Sequence, residues 1–314
     1  MARTIALVTA HEARALDEDL PPLVAALRAL GEEVETPGWD DPGTDWSRYH
    51  AAVIRSTWDY ADRIDEFLAW TERTAGQTRL FNPPGVLRWN TDKHYLRDLA
   101  RAGVPVVPTR FVEPGEAAGD ALASFLRGGN EALSVGRAGG FEEFVVKPAV
   151  GAGSRDAARY RRDEALRATD HLGRLLEAGR STLLQPYLSR VDDVGETALI
   201  HIDGRFSHAI RKAALLRLGG GLVTGLFAPE EISARQPGAD ELAVSDAACA
   251  AIVGGPTLYA RIDLIRDGEG RPVVLELELA EPSLFFAFAP GSAERFAAAI
   301  LARCAGRGES SEGG

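Results

Sequence analysis

Cysteine is nearly absent from this 314-residue chain, which contains only Cys249 and Cys304. Two cysteines supply neither a disulfide framework nor a cluster of thiolate ligands for a metal ion. Long apolar runs are missing too: the uncharged stretch from Ala247 to Ala260 is shorter than the ~20 residues of a membrane span and contains glycine and proline. The first residues do not follow the pattern of a secretory signal. We therefore expect a soluble, cytoplasmic protein without a membrane partner.

Positive charge is also in short supply. The chain has 35 basic and 46 acidic residues and a formal net charge of −11. Such a surplus repels the phosphate backbone of nucleic acids over most of the surface, so we do not expect a nucleic-acid partner, although a local basic cleft stays compatible. The remaining composition, with 45% hydrophobic and 26% charged residues, is typical of a globular protein. The length predicts two or three domains.

Several common catalytic motifs are missing. The chain contains no G-x-x-x-x-G-K-[ST], no H-E-x-x-H and no G-x-S-x-G sequence. The segment from Gly151 to Asp156 begins like a dinucleotide-binding fingerprint, but Asp156 stands where the third glycine belongs. These absences disfavour a P-loop nucleotidase, a Rossmann enzyme, a zinc protease and a serine hydrolase.

The pattern of apolar residues predicts a mixed α/β (α+β) fold. Strand patterns at Thr4 to Thr9 and Ala51 to Ile54 alternate with helical spacing, which predicts a parallel α/β domain over residues 1–108. A small α+β domain is predicted over residues 109–186. Strand-rich sequence predicts a domain with an antiparallel sheet over residues 187–306. Residues 307–314 are expected to form a disordered tail.

The most informative segment predicts a β-hairpin over residues 259–283. Two alternating strands flank a turn of glycine and charged residues that begins at Asp267. If the hairpin is symmetric about this turn, Asp263 lies opposite Glu276 and Arg261 lies opposite Glu278. These four charged residues then share one face of the sheet.

The opposite face of this hairpin is expected to be apolar, formed by Ile262, Leu264, Leu275 and Leu277. Three carboxylates on a rigid face suit Mg²⁺, which takes oxygen ligands from protein and from phosphate. The alternative is a solvated face with a cross-strand ion pair between Arg261 and Glu278. The hairpin alone leaves both interpretations open.

Two lysines occupy positions that suit an anionic ligand. Lys147 ends an apolar strand and is followed by a glycine-rich loop, in which Gly151 and Gly153 let backbone N–H groups approach a phosphate. Lys93 lies in the first turn of a helix predicted over residues 91–102, where the helix dipole disfavours a cation. Simple solvation of Lys147 and pairing of Lys93 with Asp92 are the alternatives.

An ordered set of short motifs extends over nearly the whole chain. In sequence order the motifs are Asn82-Pro83, Thr91-Asp92-Lys93, Gly103-Val104-Pro105, Val145-Val146-Lys147-Pro148, Leu184-Gln185-Pro186-Tyr187-Leu188, Ala209-Ile210-Arg211, Arg261-Ile262-Asp263 and Glu276-Leu277-Glu278. Together they resemble the ATP-grasp superfamily. Through Arg55 to Tyr60 and the overall length, the chain is most similar to the O-ureido-D-serine cyclo-ligases of cycloserine biosynthesis. Glutathione synthetase and D-alanine–D-alanine ligase are more distantly similar.

The resemblance implies an ATP site with two Mg²⁺ ions. It assigns phosphate contacts to Lys93 and Lys147 and a closing loop to Gly151, Gly153 and Ser154. It implies an adenine hinge at Gln185, Tyr187 and Leu188 and metal ligands at Asp263, Glu276 and Glu278. Ribose contacts are implied at Asp192, Asp193 or Glu196, of which Glu196 is favoured. Many relatives have Glu in place of Gln185 and Asn in place of Glu278. Arg211 is expected to face the γ-phosphate and Arg261 to stabilise the reaction intermediate.

A substrate site is expected at the end of the second strand. The residues Arg55, Ser56, Thr57 and Trp58 follow the strand at its carboxyl end, where ligands commonly bind. Arg55 could pair with a substrate carboxylate. The alternative is a buried aromatic turn in which Arg55 pairs with Asp59. The loop from Gly219 to Gly225 is a second candidate for the border of the substrate site.

The implied function is an ATP-dependent ligase for antibiotic biosynthesis. Such an enzyme converts the carboxylate of a small amino-acid-like substrate into an acyl phosphate, which an amine-type nucleophile of the same molecule then attacks. An intermolecular, dipeptide-type ligase, a kinase-like phosphotransferase and an ATP-binding protein without ligase chemistry are the alternatives. A homodimer is compatible with the sequence but is not required by it.

Overall fold

The fold is described from a computed structural model, which covers residues 3–128, 141–219 and 231–305. The expected tail at 307–314 and most of the glycine-rich loop at 219–225 lie outside the described residues. No helix within the described ranges combines the length and the apolar character that a membrane crossing requires.

The N-terminal domain is built on a parallel sheet with strand order β2-β1-β3-β4. Its strands are β1 (Thr4–Thr9), β2 (Glu33–Glu35), β3 (Ala51–Ser56) and β4 (Arg79–Phe81). Its helices are α1 (Leu20–Ala29), α2 (Ile64–Ala75), α3 (Pro84–Asn90) and α4 (Tyr95–Arg101). Residues 5–8 of β1 and 51–54 of β3 are apolar because successive residues enter two different cores, one on each face of the sheet.

The helix expected over residues 91–102 begins only at Tyr95, so this boundary was wrong. The Asn90 side chain is committed to the C-terminal domain: its amide donates to Leu277 O at 2.8 Å and accepts from Leu279 N at 2.7 Å. The Lys93 backbone N–H donates to Ala149 O at 3.0 Å. Because these contacts draw residues 91–94 into a turn between α3 and α4, Lys93 precedes the helix.

The middle domain is an antiparallel sheet covered by two helices. Strand order is β5-β8-β6-β7, with β5 (Arg110–Val112), β6 (Glu143–Pro148), β7 (Ala158–Arg161) and β8 (Thr182–Pro186). The helices α5 (Ala118–Leu126) and α6 (Ala165–Glu177) pack on one face around Phe125 and Phe144. The opposite side of β6 and β8 is left to face the other two domains.

The C-terminal domain contains a five-stranded antiparallel sheet with order β11-β10-β9-β12-β13. The strands are β9 (Glu196–Ile202), β10 (Arg205–Lys212), β11 (Ile232–Arg235), β12 (Tyr259–Arg266) and β13 (Pro272–Glu278). The helices are α7 (Arg190–Val194), α8 (Ala239–Ala250) and α9 (Ser292–Ala305). The mixed class with one parallel sheet and antiparallel sheets is confirmed, whereas the domain bounds stay a prediction.

The hairpin of β12 and β13 has the expected register where its charged residues lie. Arg261 pairs with Glu278 and Asp263 pairs with Glu276. A bulge then shifts the register, so that Leu264 pairs with Val274. Leu275, expected on the apolar face, therefore turns to the opposite side and lines the cleft described below.

Candidate active site

A cleft lies where the three domains meet. Its walls come from the loop after β3, the turn between α3 and α4, strands β6 and β8 of the middle domain and the charged face of the C-terminal sheet. Among the residues that line it are Trp58, Tyr60, Lys93, Lys147, Gly151, Gly153, Ser154, Gln185, Tyr187, Leu188, Glu196, Lys212, Arg261, Asp263, Glu276, Glu278, Glu281 and Phe285. Most of the expected site residues are thus brought together from distant parts of the chain.

Two lysines reach the cleft from opposite sides. The Lys147 Nζ, at the end of β6, lies 2.8 Å from Glu276 Oε1 on β13. The Lys93 Nζ donates to Gly151 O at 2.8 Å and so touches the glycine-rich loop directly. Both side chains are buried. Because an ammonium group is costly to bury without a carboxylate beside it, the position of Lys93 in particular favours an anionic ligand.

The charged face of the sheet forms a continuous network of ion pairs. Lys212 on β10 pairs with Glu196 and donates to Asp263 Oδ2 at 2.8 Å. The Arg261 guanidinium donates to Asp263 Oδ1 at 2.9 Å and also pairs with Glu278. Strands β9, β10, β12 and β13 of the C-terminal sheet thereby contribute to one electrostatic unit.

The carboxyl groups of this network differ in their pKa. Burial tends to raise the pKa of Glu276, but the charges of Lys147 and Lys93 outweigh it and hold the pKa at about 2. Burial is likewise outweighed at Asp263, where Arg261 and Lys212 keep the pKa below its usual range. Burial raises the pKa of Glu278 despite Arg261. One sheet face thus holds both firmly ionised carboxylates and a carboxylate that binds its proton more readily.

The three expected metal ligands fit Mg²⁺ in their donor chemistry. All are carboxylates on one face, and Mg²⁺ needs only one or two of them when phosphates and waters complete its shell. The side chains of Glu276 and Glu278 are 26% and 24% exposed to the cleft. Asp263 is 2% exposed and engaged by Arg261 and Lys212. Within the described residues no three carboxylates are already arranged around a common metal position, so Asp263 would have to exchange an ion pair to bind.

The glycine-rich loop has a positive φ angle and a close contact that favour glycine. Gly153 and Ser154 have positive φ angles of 61° and 59°. A Cβ atom at Gly151 would lie 3.2 Å from Pro148 Cγ, so a larger residue would crowd the loop. The loop lies beside Lys93 and is tied to the N-terminal domain by an ion pair between Arg155 and Asp62.

The expected adenine hinge lines the same cleft beyond Lys147. Gln185 is buried and donates through Nε2 to Thr109 Oγ1 at 2.8 Å, so its side chain is used inside the protein. The Tyr187 ring lies under the Arg159 guanidinium, 3.4 Å from the ring centroid. Leu188 packs with Val107 and Val191. The expected ribose ligand Glu196 faces the cleft and pairs with Lys212.

Arg211 does not line the cleft, and this expectation is corrected. Its Nε donates to Val194 O at 2.8 Å, on the face of the sheet that carries α8. Alternation along β10 turns the next residue, Lys212, into the cleft. The sequence holds only three lysines, Lys93, Lys147 and Lys212, and all three line the cleft. The rarity of lysine beside abundant arginine was the signal that identifies Lys212.

The expected substrate segment divides between core and cleft. Trp58 lines the cleft, and its Nε1 donates to Glu281 O at 3.1 Å. Arg55, Ser56 and Thr57 are almost fully buried and lie outside the cleft lining. Arg55 donates to Pro282 O at 3.1 Å and pairs with Asp19 at 3.5 Å, not with Asp59. The structure therefore corrects the expectation that Arg55 contacts a ligand: Arg55 forms an ion pair inside the protein instead.

Comparison with known proteins identifies close relatives. A family model described as D-cycloserine synthetase DcsG, N-terminal domain, matches residues 5–82. The cycloserine biosynthesis protein DcsG of Streptomyces lavendulae is 43% identical over 304 residues, which cover 95% of this chain and 98% of that protein. The similarity therefore extends over all three domains.

Solved structures with the same architecture agree with this result. The crystal structure of D-cycloserine synthetase DcsG has a TM-score of 0.88 and 42% identity, covering 96% of this chain and 99% of that one. A D-alanine–D-alanine ligase from Bacillus anthracis has a TM-score of 0.66 at 14% identity, with 97% of each chain covered. The second likeness concerns the fold alone, and it confirms the expected ATP-grasp fold.

Proposed function

Because the chain belongs to the DcsG family of ATP-grasp ligases, and is a carboxylate–amine ligase of that fold, we propose that it closes a ring within one amino-acid-like substrate. The proposed substrate is O-ureido-D-serine or a close analogue, and the proposed co-substrate is ATP. The substrate is proposed from the similarity to DcsG. The observation that carries the use of ATP is the convergence of Lys93, Lys147, Lys212 and Arg261, from four segments of an acidic chain, on one cleft.

The proposed chemistry has two steps. A carboxylate oxygen of the substrate attacks the γ-phosphorus of ATP, the bond to the β-phosphate oxygen breaks, and ADP leaves an acyl phosphate. The substrate nitrogen then attacks the acyl carbon, the bond to the phosphate oxygen breaks, and the nitrogen loses its proton. Such transfers depend on positioning and charge neutralisation more than on a protein nucleophile. The proposed site needs no activated serine or cysteine.

The basic residues have separate proposed roles. Lys93, beside Gly151, and Lys147 would bind the phosphates together with the backbone of the glycine-rich loop. Lys212 takes the role first expected of Arg211, which is to neutralise the transferred phosphoryl group. Arg261 would stabilise negative charge on the acyl phosphate or on the tetrahedral intermediate. The hinge residues Gln185 to Leu188 would bind adenine and Glu196 the ribose.

Two Mg²⁺ ions complete the proposal, with Glu276, Glu278 and Asp263 as ligands. The ions would supply the positive charge that offsets the phosphates when nucleotide is bound. In that state Lys147 and Lys212, which pair with these carboxylates, would become available to phosphate oxygens. A cytoplasmic location and a role in making a cycloserine-type antibiotic belong to the same proposal.

A hydroxylamine trap tests this proposal against its rivals. The enzyme is incubated with ATP, Mg²⁺ and O-ureido-D-serine, and hydroxylamine is added. An acyl phosphate yields a hydroxamate, whereas the phosphate ester of a kinase does not. Substrate-dependent hydroxamate together with ADP is the expected result. ADP without hydroxamate, accompanied by a stable phosphorylated product, would assign the protein to the phosphotransferases instead.

A further inference from the structure

Most charged groups in the cleft have an opposite charge beside them. Lys147 pairs with Glu276, Lys212 with Glu196 and Asp263, and Arg261 with Asp263 and Glu278. Two side chains of the cleft differ. Among the described residues, Lys93 has no carboxylate and Glu281 has no basic group within ion-pair distance.

These two exceptions call for ligands of opposite sign. The buried ammonium of Lys93 is explained by the phosphates of the proposed co-substrate. The carboxylate of Glu281 is only 8% exposed and lines the same cleft. A buried carboxylate without a cation in contact is costly, because its desolvation is only partly compensated. Burial and the like charge of Glu278 raise the pKa of Glu281 above its usual range, and the Tyr60 hydroxyl and the more distant charges of Lys93 and Arg261 offset this only in part. A cationic ligand would remove this cost.

Glu281 is held in place from the N-terminal domain. It follows β13, and its backbone carbonyl accepts the Trp58 indole N–H at 3.1 Å. Its carboxylate is a hydrogen-bonding neighbour of the Tyr60 hydroxyl, and Tyr60 is itself buried. The aromatic residues Trp58 and Tyr60 line the cleft next to it. The group is therefore fixed at a defined point of the cleft wall.

We propose that Glu281 binds the α-ammonium group of the substrate, with Trp58 and Tyr60 as the walls of this subsite. The inference rests on the proposed function, since it assumes an amino-acid substrate. Aromatic faces favour an organic ammonium ion, which needs few oxygen ligands. Mg²⁺ instead needs an octahedral shell of oxygen atoms, for which Glu276 and Glu278 are better placed. Glu281 thus selects amino acids over simple carboxylates.

The test compares two probes that differ in one group. One probe is O-ureido-D-serine, and the other is its analogue with hydrogen in place of the α-amino group. The kcat/KM for ADP release is measured at saturating ATP and Mg²⁺ for the wild type, Glu281→Gln and the control Glu269→Gln. Glu269 lies in the exposed turn between β12 and β13.

We expect Glu281→Gln to lose about 100-fold in kcat/KM with the amino probe and to change less than about threefold with the analogue, because only the ammonium loses its partner. The control variant should match the wild type with both probes. Equal losses with both probes, or no loss with the amino probe, would overturn the inference. A shift of the Mg²⁺ titration in Glu281→Gln would also overturn it, since Glu281 would then act on the metal.

The experiment also distinguishes failure of the proposed function and failure of the variant to fold from failure of the inference. If the wild type releases no ADP with either probe, the proposed function fails before any variant is compared, and the inference falls with it. If Glu281→Gln does not fold, Tyr60→Phe takes its place, because it keeps the ring and removes the hydroxyl beside Glu281. A selective loss of about fivefold with the amino probe is then expected, as for one hydrogen bond to a charged group. Equal effects on both probes would again overturn the inference.

Discussion

Two buried ionic clusters in this molecule contain the same kinds of residue but differ in what they face. The sealed cluster, formed by Asp17, Asp19 and Arg55, belongs to the N-terminal domain and is covered by residues 282–286. The cleft cluster, formed by Lys147, Lys212, Arg261, Asp263, Glu276 and Glu278, opens on the space between the domains. We therefore expect only the cleft cluster, which has one side open to a ligand, to take part in the reaction.

The charged groups of the sealed cluster bind other groups of the protein. Asp19 accepts the backbone N–H groups of Leu284, Phe285 and Phe286 at 2.5, 3.1 and 2.8 Å. Phe285 has a φ of 54°, a strained value for an aromatic residue, and its ring lies 5.6 Å from the Arg261 guanidinium. Asp19 therefore supports a wall of the cleft from behind, and its contribution is to shape and stability.

The largest expected effect concerns the cleft cluster. Lys147→Ala should lower the rate of ADP release about 1000-fold, because it removes a positive charge that stabilises the phosphoryl group during its transfer. Circular dichroism and thermal unfolding should show an intact fold. Arg271→Ala, at an exposed turn, is the control and should be as active as the wild type. Near-normal turnover by Lys147→Ala would remove Lys147 from the site.

The sealed cluster should respond in stability instead. Asp19→Ala leaves Arg55 short of its partner and three backbone N–H groups unpaired, so we expect a loss of about 3 kcal/mol in the free energy of unfolding. Denaturant titration measures this loss. Glu18→Ala is a matched control, because Glu18 is exposed between two buried aspartates. Unchanged stability with a large loss of kcat would mean that the sealed cluster takes part in the reaction.

Adjacent residues of β10 sharpen the comparison. Lys212→Ala should lower kcat about 100-fold, because Lys212 belongs to the cleft cluster. The kcat of Arg211→Ala should stay within about threefold of the wild-type value. Steady-state ADP release measures both. The opposite order would restore the role first expected for Arg211.

The smallest expected effect concerns a buried neutral histidine in the middle domain. His171 is hydrogen-bonded to the Tyr160 hydroxyl at 3.0 Å, and burial lowers its pKa to about 4. Between pH 6.5 and 4 the unfolded chain therefore binds a proton that the folded chain does not, and stability falls as the pH falls. We expect about 2 kcal/mol to be lost over this range.

The variant His171→Gln isolates this contribution from that of the other buried histidines. Its melting temperature should depend less on pH than that of the wild type between pH 6.5 and 4. Identical pH dependence in both proteins would show that His171 binds a proton as readily in the folded chain as in the unfolded chain.

Sequence reasoning reached the hairpin of the site because its signal is local. Alternation and a centred turn were enough to pair Asp263 with Glu276 and Arg261 with Glu278. The bulge that turns Leu275 into the cleft lies where the segment after α4 contacts β13, with the Val274 N–H donating to Pro105 O at 2.8 Å. No alternation within one segment reveals such a contact.

The errors arose where residues depend on partners far along the chain. On β10, apolar and charged residues do not alternate cleanly, so the sequence did not decide whether Arg211 or Lys212 faces the cleft. Arg55 lies near the end of β3, close to the site, but Asp19 and Pro282 engage it internally. Glu281 was not predicted because it lies beyond the end of β13, where strand alternation no longer applies.

The central claim is that the cleft activates a carboxylate so that a ring can close. The most direct test is to supply the wild-type enzyme with ATP, Mg²⁺ and O-ureido-D-serine. ADP release is measured, and the mass of the product is determined by mass spectrometry. The account predicts ADP release that depends on the substrate, together with the mass of a cyclised, unphosphorylated product. No ADP release, or a product that retains the phosphoryl group, would contradict it.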